Sequence, residues 1–136
     1  SVGLGMIVKF RVKGQNGERG HNMKKHLGIL GLICGFSVAW AAVEGQYTVV
    51  GTNPNGTQYR GTLVISKGTS TYDLRWQVGQ SSYRGTGILA NDILSVGWLA
   101  GKTCGVVSYS VKQNRLDGVW AGCGAKDVGT ETATKR

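Results

Sequence analysis

Five dipeptides punctuate the second half of this chain: Gly68-Thr69, Gly79-Gln80, Asn91-Asp92, Gly101-Lys102 and Gln113-Asn114. Gly and Asn tolerate the positive φ that two-residue hairpin loops demand, and polar and apolar residues alternate between the loops. That combination leaves room for little except antiparallel sheet. The pattern predicts strands at about 45–52, 57–67, 70–78, 81–90, 93–99, 103–112, 115–123 and 128–134. A longer turn, Asn53-Pro54-Asn55-Gly56, carries the only proline of the chain at a position where no ladder donor is needed.

Two-residue loops also fix a register. Around Gly79-Gln80, Trp76 faces Tyr83 and Leu74 faces Gly85. Around Gly68-Thr69, Ile65 faces Tyr72, Leu63 faces Leu74 and Gly61 faces Trp76. The next three loops set Leu89 against Leu94, Gly85 against Trp98, Val96 against Val107, Val111 against Leu116 and Val107 against Trp120. One face then collects Tyr47, Tyr59, Tyr72, Trp76, Tyr83, Trp98, Tyr109 and Trp120, with Gly61, Gly85 and Gly118 making room for rings opposite them. The same register puts Cys104 directly opposite Cys123 on the outward face, which predicts a cross-strand disulfide.

Eight sequential strands with one apolar face must hide that face, and no helical period is present to supply a cover. The expected fold is therefore an all-β, eight-stranded antiparallel up-and-down barrel or a strongly curled sheet, following an N-terminal signal peptide. Trp76, Trp98 and Trp120 are expected to be buried together with Leu63, Leu74, Leu94, Val96, Val107 and Leu116. An outer-membrane barrel is disfavoured by the outward residues Arg60, Thr62, Asp73, Arg75, Gln77, Arg84 and Thr86.

Residues 23–41 read as the signal peptide. Lys24 and Lys25 precede an apolar run from Leu27 to Val38, and Ala39-Trp40-Ala41 fits a small-x-small cleavage site. Residues 1–22 lack an apolar period and read as a disordered extension from a start placed too far upstream. The expected product is a single domain, 42–136, secreted or periplasmic after cleavage near Ala41, with no transmembrane segment. It carries ten Lys/Arg against six Asp/Glu, too sparse a positive charge for a nucleic-acid binder. Its two cysteines form an even pair in an oxidising compartment.

Little in that product resembles catalytic or cofactor machinery. Both histidines, His21 and His26, precede residue 42, so imidazole-based triads and metal sites are excluded from the domain. Gly85-Thr86-Gly87 lies inside a strand with no helix after it and is no phosphate loop. Glu44, Asp73, Asp92, Asp117, Asp127 and Glu131 read as scattered carboxylates at turns or outward positions, with Asp117 and Glu131 the one pair to watch for a glycosidase-like arrangement. No enzyme activity, cofactor or metal is expected.

The opening Val43-Glu44-Gly45-Gln46-Tyr47-Thr48-Val49-Val50-Gly51-Thr52-Asn53-Pro54-Asn55-Gly56, followed by Tyr59-x-Gly61, resembles small exported bacterial proteins labelled fibronectin-binding. Trp76, Tyr83-x-Gly85-x-Gly87, Leu116-Asp117-Gly118-x-Trp120 and Gly129-x-Glu131 extend the likeness over essentially 43–132. The resemblance implies an exported, non-enzymatic binding protein whose surface recognises an extracellular-matrix (fibronectin-like) or envelope partner. It carries over no functional residue.

On that surface reading, the candidate partner-binding residues are Arg60, Arg75 and Arg84. The expected register sets Arg75 opposite Arg84 and Arg60 diagonal to Arg75. The alternative is architectural. A barrel of the lipocalin or avidin type carries a small hydrophobic ligand inside, and here the lining candidates are Tyr59, Trp76, Tyr83, Trp98, Tyr109 and Trp120. An interior cavity above roughly 300 Å³ separates carrier from packed core.

Overall fold

A computed structural model of the chain describes residues 42–136. The expected leader (23–41), its expected cleavage site near Ala41 and residues 1–22 lie outside the described residues. Eight antiparallel strands follow one another: β1 (Gly45–Thr52), β2 (Gln58–Lys67), β3 (Tyr72–Val78), β4 (Ser81–Ala90), β5 (Ile93–Ala100), β6 (Thr103–Lys112), β7 (Arg115–Gly122) and β8 (Gly129–Lys135). Each pairs with the next, and β8 returns to β1 through pairs such as Gly51 with Glu131 and Val49 with Ala133. The sheet closes completely, so no edge strand is left unpaired.

The hairpin chemistry accounts for most of this register. Asn91 and Asp92 both take positive φ, the backbone of a type I′ loop, while Gly79 and Gly101 take positive φ at the first loop position, as in type II′. Trp76 faces Tyr83, Gly85 faces Trp98, Val96 faces Val107 and Val107 faces Trp120, all as the loops require.

The β2–β3 connection departs from expectation. The Gly68 amide bonds to the Thr71 carbonyl at 2.8 Å, so residues 68–71 form a four-residue loop and β3 begins at Tyr72. Pairing slides by two: Leu63 faces Trp76, Ile65 faces Leu74, and Gly61 faces Val78 rather than Trp76. An even slip leaves every side chain on its face, and for that reason the inside–outside pattern survives the error.

The interior has two unlike halves. Aliphatic residues fill the lower part, where Val49, Leu63, Leu74, Leu94, Leu116 and Ala133 are essentially without exposure. Val43 closes that end and accepts a 2.6 Å hydrogen bond from the Tyr47 hydroxyl. Aromatic rings occupy the upper part, and there the packing is incomplete. Trp76 is buried, but Trp98 and Trp120 are only half-buried: they point inward as expected, yet no described residue covers them from above.

Outside, the barrel is polar over β2 and β3. It is less so over β4–β7, where Ile88, Leu99, Val106, Val119 and the loop residue Val128 are half or more exposed. Cys104 and Cys123 form the expected disulfide, Cα atoms 5.3 Å apart, with the Cys123 amide bonded to the Cys104 carbonyl at 2.7 Å. The bridge ties the start of β6 to the end of β7 at the upper rim.

Candidate functional site

The upper half encloses a cavity of about 630 Å³ that opens between the β1–β2, β3–β4, β5–β6 and β7–β8 connections. Its walls are the rings of Tyr59, Trp76, Tyr83, Trp98, Tyr109 and Trp120, the six lining candidates. Asn53, Ser81, Lys102 and Thr103 stand at the rim. Three rings meet edge to face, Tyr59 on Trp120 at 6.4 Å and Trp120 on Trp98 at 6.5 Å. Tyr83 meets Trp98 in the same way at 5.6 Å. Edge-to-face contacts hold rings firmly while leaving their other surfaces free for a further partner.

Glycines set where these rings lie. Trp98 lies over Gly105 and Trp120 over Gly129, each directly across a strand pair, and a Cβ on either glycine would fall within the indole. The rings therefore lean along the barrel wall instead of crossing its axis, and the space beside the axis is the cavity.

Glu131 is not among the lining candidates read from the sequence, and its reading as a turn or outward carboxylate is corrected by the structure. It points inward from β8, is 7% exposed, and lines the cavity. Three side chains donate to it. The Tyr59 hydroxyl bonds Oε2 at 2.8 Å, the Trp76 indole N–H bonds Oε1 at 3.1 Å, and the Tyr109 hydroxyl also bonds Oε1. The Trp76 N–H also approaches the Tyr109 oxygen at 3.2 Å. Burial, reinforced by the charge of Glu131, pushes the Tyr59 phenol well above its ordinary range and does the same to Tyr109. Both therefore stay protonated and keep donating.

One buried donor in the wall has no acceptor among the described residues. The Trp120 indole nitrogen is fully buried over Gly129 and makes no hydrogen bond among the described residues. The Tyr59 ring is its neighbour, packed edge to face against it.

Asp117 does not join Glu131. It is directed outward from β7, where Lys112 at 2.8 Å and Arg115 at 3.0 Å flank it, and the Lys112 hydrogen bond foremost holds its carboxyl below the usual range. The two acids occupy opposite faces of the sheet, so the two-carboxylate arrangement of a glycosidase is not formed. Among the described residues no three metal-ligating side chains cluster.

The arginine candidates are only partly assembled. Arg75 does face Arg84, and Arg75 bonds Asp73 at 3.0 Å. The two-residue slip between β2 and β3 puts Val64 opposite Arg75, which carries Arg60 away from the diagonal position and leaves it opposite Val50 of β1. No three-arginine patch results.

No family model matches the sequence, and no curated protein matches it. Solved structures do resemble the barrel. A redesigned β-barrel superposes with a TM-score of 0.62 at 15% identity, over 68% of this chain and 90% of that one. A second redesigned barrel, mFAP1 bound to DFHBI, gives 0.57 at 13% identity over 68% and 94%. A fluorescence-activating barrel designed de novo gives 0.57 at 12% identity over 68% and 93%. At such identities the likeness shows the fold alone: an eight-stranded antiparallel closed barrel.

Proposed function

We propose that this protein is a non-enzymatic carrier that holds a small, flat, largely apolar molecule in the open half of its barrel. The observation that carries the reading is the cavity of about 630 Å³ walled by half-buried aromatic rings. Its size is ordinary for a small-molecule site and about twice what separates a pocket from a packing defect. Two of the similar barrels hold DFHBI, a precedent for a ligand in this architecture.

Surface recognition of a matrix or envelope partner is the weaker reading, because its three arginines do not come together. An export leader suits either reading.

Titration of residues 42–136 with flat aromatic probes, naphthalene derivatives and DFHBI among them, tests the proposal through tryptophan fluorescence and calorimetry. Saturable one-to-one binding is expected, abolished by Thr103→Trp, which places a ring in the mouth. Substituting Arg60, Arg75 and Arg84 by Gln, or raising the salt, is expected to leave binding unchanged. Absence of saturable binding across the panel, or its loss on arginine substitution, would overturn the carrier reading.

A further inference from the structure

The charge inside the cavity narrows the class of ligand. A carboxylate 7% exposed in the middle of a barrel is costly, and replacing buried charge by apolar side chains is often neutral or stabilising. Stability alone therefore gives no reason for Glu131. Nor is the charge matched within the protein: among the described residues no lysine or arginine lies within ion-pair distance of Glu131, whose partners are two phenols and an indole. Those neutral donors use two acceptor positions on Oε1 and one on Oε2. A carboxylate offers about four, so one position on Oε2 remains, on a side chain that lines the cavity.

The rings around this carboxylate have the matching electrostatics. An aromatic face is negative, and a cation within about 6 Å of the ring centre is attracted to it, most strongly by Trp. Tyr59, Trp98 and Trp120 supply such faces in one contiguous edge-to-face series beside Glu131. A negative group backed by aromatic walls repels an anion, leaves a neutral molecule unable to match the charge, and suits an organic cation. Lys102 is the one basic residue of the lining. It is exposed at the rim, where solvent screens it, and not at the depth of Glu131.

We infer that the ligand is an organic cation, an amine or quaternary ammonium on a flat apolar body, with its positive nitrogen beside Glu131 and its body against Trp98 and Trp120. This rests on the carrier reading above and adds the sign of the ligand's charge.

One ring system in three charge states separates the two claims: 2-naphthylmethylamine, protonated at neutral pH, 2-naphthylmethanol and 2-naphthoate, each titrated by calorimetry. The amine is expected to bind at least tenfold tighter than the alcohol, and the naphthoate weakest. Glu131→Gln should bring amine and alcohol within about twofold of each other while keeping the affinity for the alcohol. If that variant does not fold, Trp98→Leu serves instead, because loss of a ring face should weaken the amine several-fold more than the alcohol. Equal affinity for amine and alcohol in the unaltered protein, or tightest binding of the naphthoate, overturns the cation inference and leaves the carrier standing. Binding of none of the three overturns both.

Discussion

Tyr59 and Tyr109 reach one carboxylate from opposite sides of the barrel wall, each by lying across a glycine. The cross-strand row runs Tyr109, Gly118, Glu131, Gly51, Tyr59 over β6, β7, β8, β1 and β2. A phenol is long enough to span one intervening strand only if that strand presents no side chain beneath it, and Gly118 and Gly51 meet that condition. The carboxylate is thus held symmetrically at the floor of the cavity, with Trp76 as a third support.

Gly118→Ala is expected to destabilise the fold by about 1–3 kcal/mol, because the added methyl collides with the Tyr109 ring and forces it off its rotamer. Gly97→Ala is the matched control. It sits in the neighbouring sheet region with open space around its outward Cβ position, and should be neutral or stabilising by about 0.4–1 kcal/mol. Urea denaturation of the two variants checks the contrast.

Removing either hydroxyl should cost stability, and the two costs should not add. Tyr59→Phe and Tyr109→Phe each delete a hydrogen bond to a charged group, about 1.5–3 kcal/mol apiece. Because both act on Glu131, the double variant should deviate from additivity by about 0.5 kcal/mol or more. Strict additivity would mean that the carboxylate does not couple them.

Alkaline pH should unfold the barrel. Tyr47, Tyr59 and Tyr109 all titrate above the ordinary phenol value when folded, through burial first and a neighbouring glutamate second. The unfolded chain gives up these protons near pH 10 while the folded chain keeps them, so the unfolded state binds fewer protons there. The associated stability is complete below pH 10 and is lost as pH rises beyond it, by about 1.4 kcal/mol per pH unit for each withheld proton. Phenolate absorbance followed beside circular dichroism should show these three tyrosines ionising only as the fold is lost.

Reduction of Cys104–Cys123 should lower stability by about 3 kcal/mol, the chain-entropy value for a loop of roughly 20 residues, without abolishing the barrel. The ladder between β6 and β7 holds the same strands together independently. A melting scan with and without reductant, supported by Cys104→Ser, measures the difference.

Loop chemistry made much of the barrel legible from sequence, and where it was silent the site was hidden. Asn91-Asp92, Gly101-Lys102 and Gln113-Asn114 each specify a two-residue hairpin, and the pairs from Gly85–Trp98 to Val107–Trp120 follow from them by counting. Gly68-Thr69 resembles the same signal, but the loop runs on to Thr71, since nothing local distinguishes a glycine that opens a two-residue loop from one that opens a four-residue loop. The inward direction of Glu131 is hidden in the sequence for a related reason. Its neighbours Gly51 and Gly118 are set by the β1–β8 closure and by the long connection from Cys123 to Val128, neither of which a hairpin rule fixes. The one available signal was its alternation with Gly129 and Ala133, which puts all three on the inward face of β8.

Val43, the start of β1 and the end of β8 lie together at the sealed pole, where Lys135 reaches the Ala42 carbonyl and the Arg136 amide bonds the Gln46 carbonyl. The barrel is therefore a cup whose stem and bowl point in opposite directions. A tag, bead or reporter joined at residue 42 or residue 136 attaches at the stem, at the pole opposite the aromatic opening. Immobilised through residue 42 or residue 136, the protein presents the same face to solution either way, and ligand capture on such a support should proceed at the rate seen for the free protein.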